Sequence, residues 1–343
     1  MKSDAYWEER ANERMKTYHK DADKTVQLIN KAYEKAQRDI EREIDTIFTT
    51  YARNGGLAPE QAKRLLNQRI PNPLLKLAKK IYPSIKNKQI KRWLLKRINA
   101  PAYRARITRL EALKESVFLR SKEIADVEIA LSESSYLKTI NSAYYRNMFD
   151  IQRGTGYGFE FARMSDKAIE HIILNKWSGE HFSDRVWGNT NVLAEKVTEI
   201  VTAGFMSGVG QSAMIAELSE TMNVGKFAAS RLIRTETTYM ANMAEMLTYE
   251  EVEIERYRFV ATLDNRTSEQ CRKKDLKVFK VSEAKVGVNM PPLHPFCRST
   301  TVAYFGEDDL DRVERRARDP RTGETMLVPA TMNYEAWLKK YAV

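Results

Sequence analysis

Apolar and small residues recur every three or four positions through the first fifty residues. They fall at Trp7, Ala11, Met15, Tyr18, Ala22, Val26, Ile29, Tyr33, Ala36, Ile40, Ile44, Ile47 and Tyr51. The mean step is about 3.7 residues, nearer an eleven-residue repeat than a heptad. This predicts one long helix from residue 4 to about residue 53, capped by Ser3 or Asp4 and stopped at Gly55-Gly56. Its stripe is narrow and partly aromatic, so the helix needs a partner, either its own domain or another subunit.

Pro59 suits the first turn of a new helix. Pro71, Pro73, Pro83 and Pro101 then cut the chain into short helices, Leu74–Ile81 and Lys88–Asn99. In the second, Trp93, Leu94, Leu95 and Ile98 can turn inward. Helical spacing resumes from Ala102 to about Ile151, compatible with two helices meeting near Ser132–Ser135. The glycine cluster Arg153–Phe159 marks a candidate domain boundary. It is a poor phosphate loop, because no Gly-Lys-Ser/Thr follows it. Four more helices are predicted up to Glu251, with Gly225 separating the third from the fourth.

After Glu255 the period changes to two. Tyr257, Phe259 and Ala261 predict a strand, Lys277–Val281 a second and Ser299–Phe305 a third. The charged run after Phe305 reads as surface helix or loop. In the tail, Tyr334, Trp337, Leu338 and Tyr341 form the apolar face of a short docking helix. The expected fold is mainly α: a long N-terminal helical arm and helical body, with a small C-terminal α+β hairpin module. The expected divisions are 1–57, 58–152, 160–255 and 256–343.

Charge changes this picture in one place. The chain of 343 residues has a net charge of +11. Residues 1–120 carry 28 Lys and Arg against 14 Asp and Glu, whereas the remainder is slightly acidic. Between Gln61 and Leu110 there are 15 basic residues and no acidic one. A solvated helix face normally mixes both signs, so this segment predicts a polyanionic partner, DNA or an acidic protein surface. The residues expected to carry non-specific DNA contact are Lys63, Arg64, Arg69, Lys76, Lys79, Lys80, Lys88, Lys91, Arg92, Lys96, Arg97, Arg104, Arg106 and Arg109. No run of about 18 apolar residues occurs and the N-terminus has no apolar signal core, so neither a membrane span nor secretion by a cleaved signal is expected.

The reactive residues gather elsewhere. Both cysteines, Cys271 and Cys297, lie between Ala261 and Thr301, with His294. Two cysteines in a non-secreted chain are expected to be thiols or ligands rather than a disulfide framework. His171 and His181 have no metal-ligand spacing to each other or to a cysteine.

Four stretches together carry a resemblance: WSGEHFSDRVWGNT (Trp177–Thr190), LIRTETTYMAN (Leu232–Asn242), TLDNRTSEQC (Thr262–Cys271) and VGVNMPPLHPFCRST (Val286–Thr300). In combination and order they resemble the phage minor head protein family, the Mu protein F-like head-morphogenesis proteins. The resemblance implies a structural role inside the procapsid. Its implied partners are the portal protein, the major capsid or scaffold protein, and DNA during packaging or ejection. Its implied location is the virion interior, and the host cytoplasm during assembly. It also supplies a motif, Asp-x-Arg-Thr-Cys-x-x-Cys, in which Ser268 replaces the first cysteine here.

Cys271, His294 and Cys297 then remain as candidate ligands of a structural zinc, with Asp264 or a water as the fourth. The alternative is a metal-free hairpin in which His294 is a hydrogen-bonding strut and the cysteines are small core residues. Arg234, Glu236, Asp264, Arg266 and Arg298 are expected to form an ion-pair network, with Glu236 reaching Arg266 or Arg298, that docks the last long helix onto the hairpin. Two enzyme readings stand beside these. His294 as base with Asp264 as metal ligand would make a nuclease, and Arg234 with Glu253 or Glu255 would make an ADP-ribosyltransferase-like enzyme.

Overall fold

A computed structural model of the chain describes residues 4–51, 59–99, 106–156, 163–306, 314–318, 325–329, 332 and 334–341. The fold is mainly α with a small α+β module near the C-terminus. Helix α1 spans Asp4–Tyr51. Its stripe is buried from Trp7 through Ile44, apart from the partly buried Val26. The cover comes from the same chain: Tyr33, for example, lies under Gly225 and bonds to Glu128. The expected stop at Gly55-Gly56 lies outside the described residues.

The chain divides into two compact units. One comprises Thr25–Glu133 and Glu180–Ser230, and the other Met1–Lys24, Ser134–Gly179 and Arg231–Val343. In the first, α2 (Pro59–Leu66) packs against α7 (Phe182–Ser207). Strand β1 (Arg69–Pro71) pairs antiparallel with β2 (Arg106–Thr108). Helices α3 (Leu74–Ile81) and α4 (Lys88–Asn99) lie between these strands in sequence and are as expected. Leu74, Ala78 and Ile81 form the buried face of α3, and Ile90 and Leu94 that of α4. Leu95, expected to turn inward, is exposed: it lies about 100° round the helix from Leu94, beyond the narrow buried stripe.

Helix α5 runs unbroken from Arg109 to Thr155. The expected start at Ala102 lies outside the described residues; Arg106–Thr108, expected as helix, form β2, and a capping box opens α5 at Arg109. The Glu111 N–H donates to Thr108 Oγ1 at 3.1 Å, and the Thr108 N–H donates to the Glu111 carboxylate at 2.8 Å. Nor does the helix divide near Ser132–Ser135. The Ser132 hydroxyl donates to the Glu128 carbonyl four residues back and so leaves the helix ladder intact.

Helix α8 is likewise one element, Gln211–Glu251, where two helices were expected. Gly225 does not break it. A Cβ there would stand 2.6 Å from the Tyr33 ring, so glycine answers a close approach rather than a turn. Gly154, in the last turn of α5, does the same for Trp7, whose ring would lie 2.1 Å from an added Cβ.

In the second unit, helix α6 (Asp166–Leu174) is capped by Ser165, whose side chain accepts from the Ala168 N–H. A three-stranded antiparallel sheet of order β4-β3-β5 follows α8. It consists of β3 (Arg256–Val260), β4 (Val278–Lys280) and β5 (Thr300–Ala303). Its core joins Tyr257, Val260 and Val302 to Trp7, Ala11, Ile151, Met246 and Tyr249. The charged run expected as helix or loop instead supplies a strand. Residues Glu314–Arg318 (β6) pair antiparallel with Thr325–Pro329 (β7). Ala317 and Val328 turn to a small core with Leu263 and Trp337, whereas the arginines had obscured the two-residue period. Trp337 lies on a short helix, Tyr334–Tyr341, and is fully buried.

Candidate functional site

The turn chemistry of the C-terminal module brings its reactive residues together. Ser268 caps a one-turn helix, α9 (Glu269–Arg272), by accepting from the Cys271 N–H at 3.3 Å. This places Cys271 against the His294–Cys297 turn, which is closed by the Cys297 N–H donating to the His294 carbonyl at 3.1 Å. Cys271 Sγ lies 3.3 Å from His294 Nε2 and 3.7 Å from Cys297 Sγ. Both thiols are buried and His294 is half-buried.

His294 Nδ1 lies 2.8 Å from the Pro295 carbonyl. That contact selects the tautomer with the proton on Nδ1 and leaves the Nε2 lone pair facing Cys271. Proton sharing with Cys271, then the N–H groups of Leu293 and Ser299, bring the Cys297 thiol down to about 6. The same sharing, with burial, pushes Cys271 up, and the contact with Cys271 raises His294. A small void of about 20 Å³ adjoins the trio, lined in part by Thr267, Ser268, His294 and Ser299.

Asp264 stands apart from this cluster. It receives a two-pronged guanidinium contact from Arg298, the Arg266 N–H at 2.9 Å and the Thr267 hydroxyl at 3.2 Å. Burial alone would raise its pKa, but Arg298 and the Arg266 N–H outweigh that and hold it below the ordinary value. The Arg266 side chain itself is exposed, 4.0 Å from Asp264. Arg234 pairs with Asp23 at 2.8 Å. Glu236 accepts from the Trp177 indole at 3.0 Å, and that ring stacks on Tyr239. The carboxylate that holds Arg298 is therefore Asp264.

Uncharged groups dock α8 onto the turn, and sequence reasoning missed them. The Phe296 N–H donates to Thr235 Oγ1 at 3.0 Å, and Thr238 Oγ1 donates to the Cys297 carbonyl at 2.7 Å. The two threonines are three residues apart on one face of α8, a spacing visible in LIRTETTYMAN. Thr238 also meets His19 Nε2 at 3.3 Å. Burial, reinforced by Arg234 and Arg298, lowers the His19 pKa to about 3. His181 caps α7 by accepting from the Ser183 N–H, and His171 is exposed on α6.

These placements bear on the enzyme readings. The void beside His294, about 20 Å³, has room for one water, and Asp264 is engaged by Arg298. Arg234 lies roughly 25 Å along α8 from the end that leads to Glu253 and Glu255.

The basic segment forms the second candidate site. Lys63, Arg64, Arg69, Lys76, Lys79, Lys80, Lys88, Arg92 and Lys96 are exposed. Lys91, Arg97 and Arg109 are half-buried. Arg97 lies 3.9 Å over the Trp93 ring and pairs with Glu115 at 2.6 Å, so α5 neutralises one of the cations. Lys91 faces Tyr82, and Arg109 reaches Gln68. Arg104 and the side chain of Arg106 lie outside the described residues. The start of α4 is fixed by Asn87, which accepts from Gln89 and Ile90. Asp126 on α5 accepts from the N–H groups of Lys86 and Asn87. Among the described residues no helix is long and apolar enough to cross a membrane.

Residues 195–302 match the family described as Phage Mu protein F like protein. This bears out the resemblance to the phage head-morphogenesis family over that segment. The matched span includes the α8 motif and both halves of the cysteine–histidine cluster, whereas Trp177–Thr190 precedes it. No curated protein and no solved structure matches the chain.

Proposed function

We propose that the chain is a minor head protein, an internal procapsid component that contacts the portal and the packaged DNA. The Mu F-like match over residues 195–302 supports a phage head role. The observation that carries the DNA contact is the array of exposed lysines and arginines on α2, α3 and α4, with no acidic residue between Gln61 and Leu110. Each helix buries a narrow apolar face and leaves most of its cations outward, Lys91 and Arg97 of α4 being half-buried, as polyanion binding requires. Those cations read no base sequence by themselves, so binding is non-specific and follows the phosphate backbone.

Salt dependence tests this reading. Engaging five phosphates gives a slope of log K against log salt of about −4.5 on random duplex DNA. The combined variant Lys79→Glu, Lys80→Glu, Lys88→Glu and Arg92→Glu should flatten the slope and weaken binding on every sequence alike. A flat wild-type slope, or no binding near ~50 mM salt, sinks the DNA contact. The portal contact is tested separately, by co-purification with the portal protein of the same phage.

A further inference from the structure

The geometry points to a zinc site formed by Cys271, His294 and Cys297, with a water rather than a fourth side chain completing the tetrahedron. It goes beyond the head role and does not rest on it.

The donor set comes first. Two thiols and an imidazole Nε2 are soft to borderline ligands that suit Zn²⁺ and are poor for Mg²⁺ or Ca²⁺. Their ligand atoms all lie within 4.8 Å of one another. The edge lengths then discriminate. A tetrahedral zinc with ordinary Zn–S and Zn–N bonds spaces its sulfurs about 3.8 Å apart and sulfur from nitrogen about 3.6 Å. Cys271 and Cys297 stand at 3.7 Å, and Cys271 and His294 at 3.3 Å. A disulfide would need about 2.05 Å between the sulfurs.

The surroundings are those of a ligand set. Pro295 holds the proton on Nδ1 of His294 and turns Nε2 to the cluster, as a carbonyl commonly does for a metal-bound histidine. Leu293 and Ser299 direct backbone N–H groups at Cys297 Sγ. These groups would accommodate the thiolate charge.

The fourth position is decided by elimination among named groups. Asp264 is held by Arg298 and the Arg266 N–H, and it does not gather with the three ligand atoms. Ser268 spends its oxygen on the α9 cap. What remains beside the trio is the void of about 20 Å³, room for one water and no more. An open coordination position normally marks a catalytic zinc. Here the small void makes it structural. The ion would join α9 to the His294–Cys297 turn and, through the Thr238 bond to Cys297, to α8.

The test uses the whole chain, purified in reducing buffer without chelator. Elemental analysis should find about one zinc per chain. Replacement by Co²⁺ should give the visible bands of a tetrahedral ion and sulfur-to-cobalt charge transfer from two thiolates. Cys297→Ser should remove about half of that charge transfer. His294 is half-exposed, so His294→Ala keeps the fold testable while lowering metal retention. Ser268→Cys, at the wall of the void, should displace the water and add a third thiolate to the charge-transfer band. Wild-type protein that takes up less than about 0.1 equivalent of zinc after incubation overturns the site. So does a Cys271–Cys297 disulfide that persists under reducing conditions.

Discussion

Glu128 lies on α5 with its carboxylate almost wholly buried, and the Tyr33 hydroxyl donates to one oxygen at 3.2 Å. Burial raises its pKa from 4.5 to about 7, against a smaller lowering from Tyr33. The folded chain therefore keeps this proton between pH 4.5 and 7, where the unfolded chain releases it. The stabilisation is complete below pH 4.5 and is lost as pH rises through 7, a loss of about 3 kcal/mol. Glu128→Gln keeps an acceptor for Tyr33 and removes the titration. Urea unfolding should show a flatter pH profile across that window and a more stable variant at pH 8; an unchanged profile would refute the assignment. Glu128 escaped sequence reasoning, which followed the apolar positions of α5. The cluster residues Cys271, His294 and Cys297 were legible because reactive residue types are scarce in this chain. Thr235 and Thr238 were not, since a threonine on a helix reads alike whether its hydroxyl turns back to its own ladder or out to another segment. Nothing in the sequence paired Arg298 with Asp264 in preference to Glu236, because both carboxylates lie far from it in the chain.

At the scale of elements, periodicity locates α1, α3, α4 and the three strands of the sheet, and it fails where a glycine stands for a stop. The expected stop at Gly225 is absent: α8 passes through it, and the Tyr33 ring occupies the space of a side chain there. Gly225→Ala sets two effects against each other. Helix propensity favours alanine by about 1 kcal/mol. Overpacking against a fully buried tyrosine costs about 1–3 kcal/mol. The net should be destabilising, and adding Tyr33→Leu, which clears the ring, should recover part of the loss in the same unfolding assay. A stabilised single variant would mean that the ring moves aside freely. A second element-scale test concerns the seam of α1, α5 and α8. Arg14 is buried among Asp150, Glu245 at 3.2 Å and Asn147 at 3.1 Å, and Thr300 on β5 donates to the same Glu245. Burial opposes the Arg14 charge, but Glu245 and its neighbours raise its pKa further. Arg14→Ala leaves Glu245 buried without its cation, whereas Asp150 keeps Arg10 at 2.6 Å, and should cost about 3–5 kcal/mol. A loss below ~1 kcal/mol would show that the network is worth no more than a surface pair.

For the whole molecule, the charge imbalance read from the sequence survives folding, but the division into units does not follow the order of the chain. Each unit draws on separated segments, and α1, α5 and α8 contribute residues to both. No local signal in composition or glycine content could show that, because it depends on which stripe of a long helix meets which partner. The consequence is a separation of roles. The exposed basic residues proposed to meet DNA belong to Thr25–Glu133, and the proposed zinc ligands to Arg231–Val343. Chelation should therefore speed amide exchange in 256–303, where the ion would hold α9 and the cysteine turn together, and leave 59–99 protected as before. The salt slope of DNA binding should be the same with and without zinc, because the slope counts phosphates met by lysines and arginines that the metal does not touch. If removing zinc changes that slope by the equivalent of one phosphate or more, the two functions are coupled and the assignment of DNA contact to the basic helices alone is wrong.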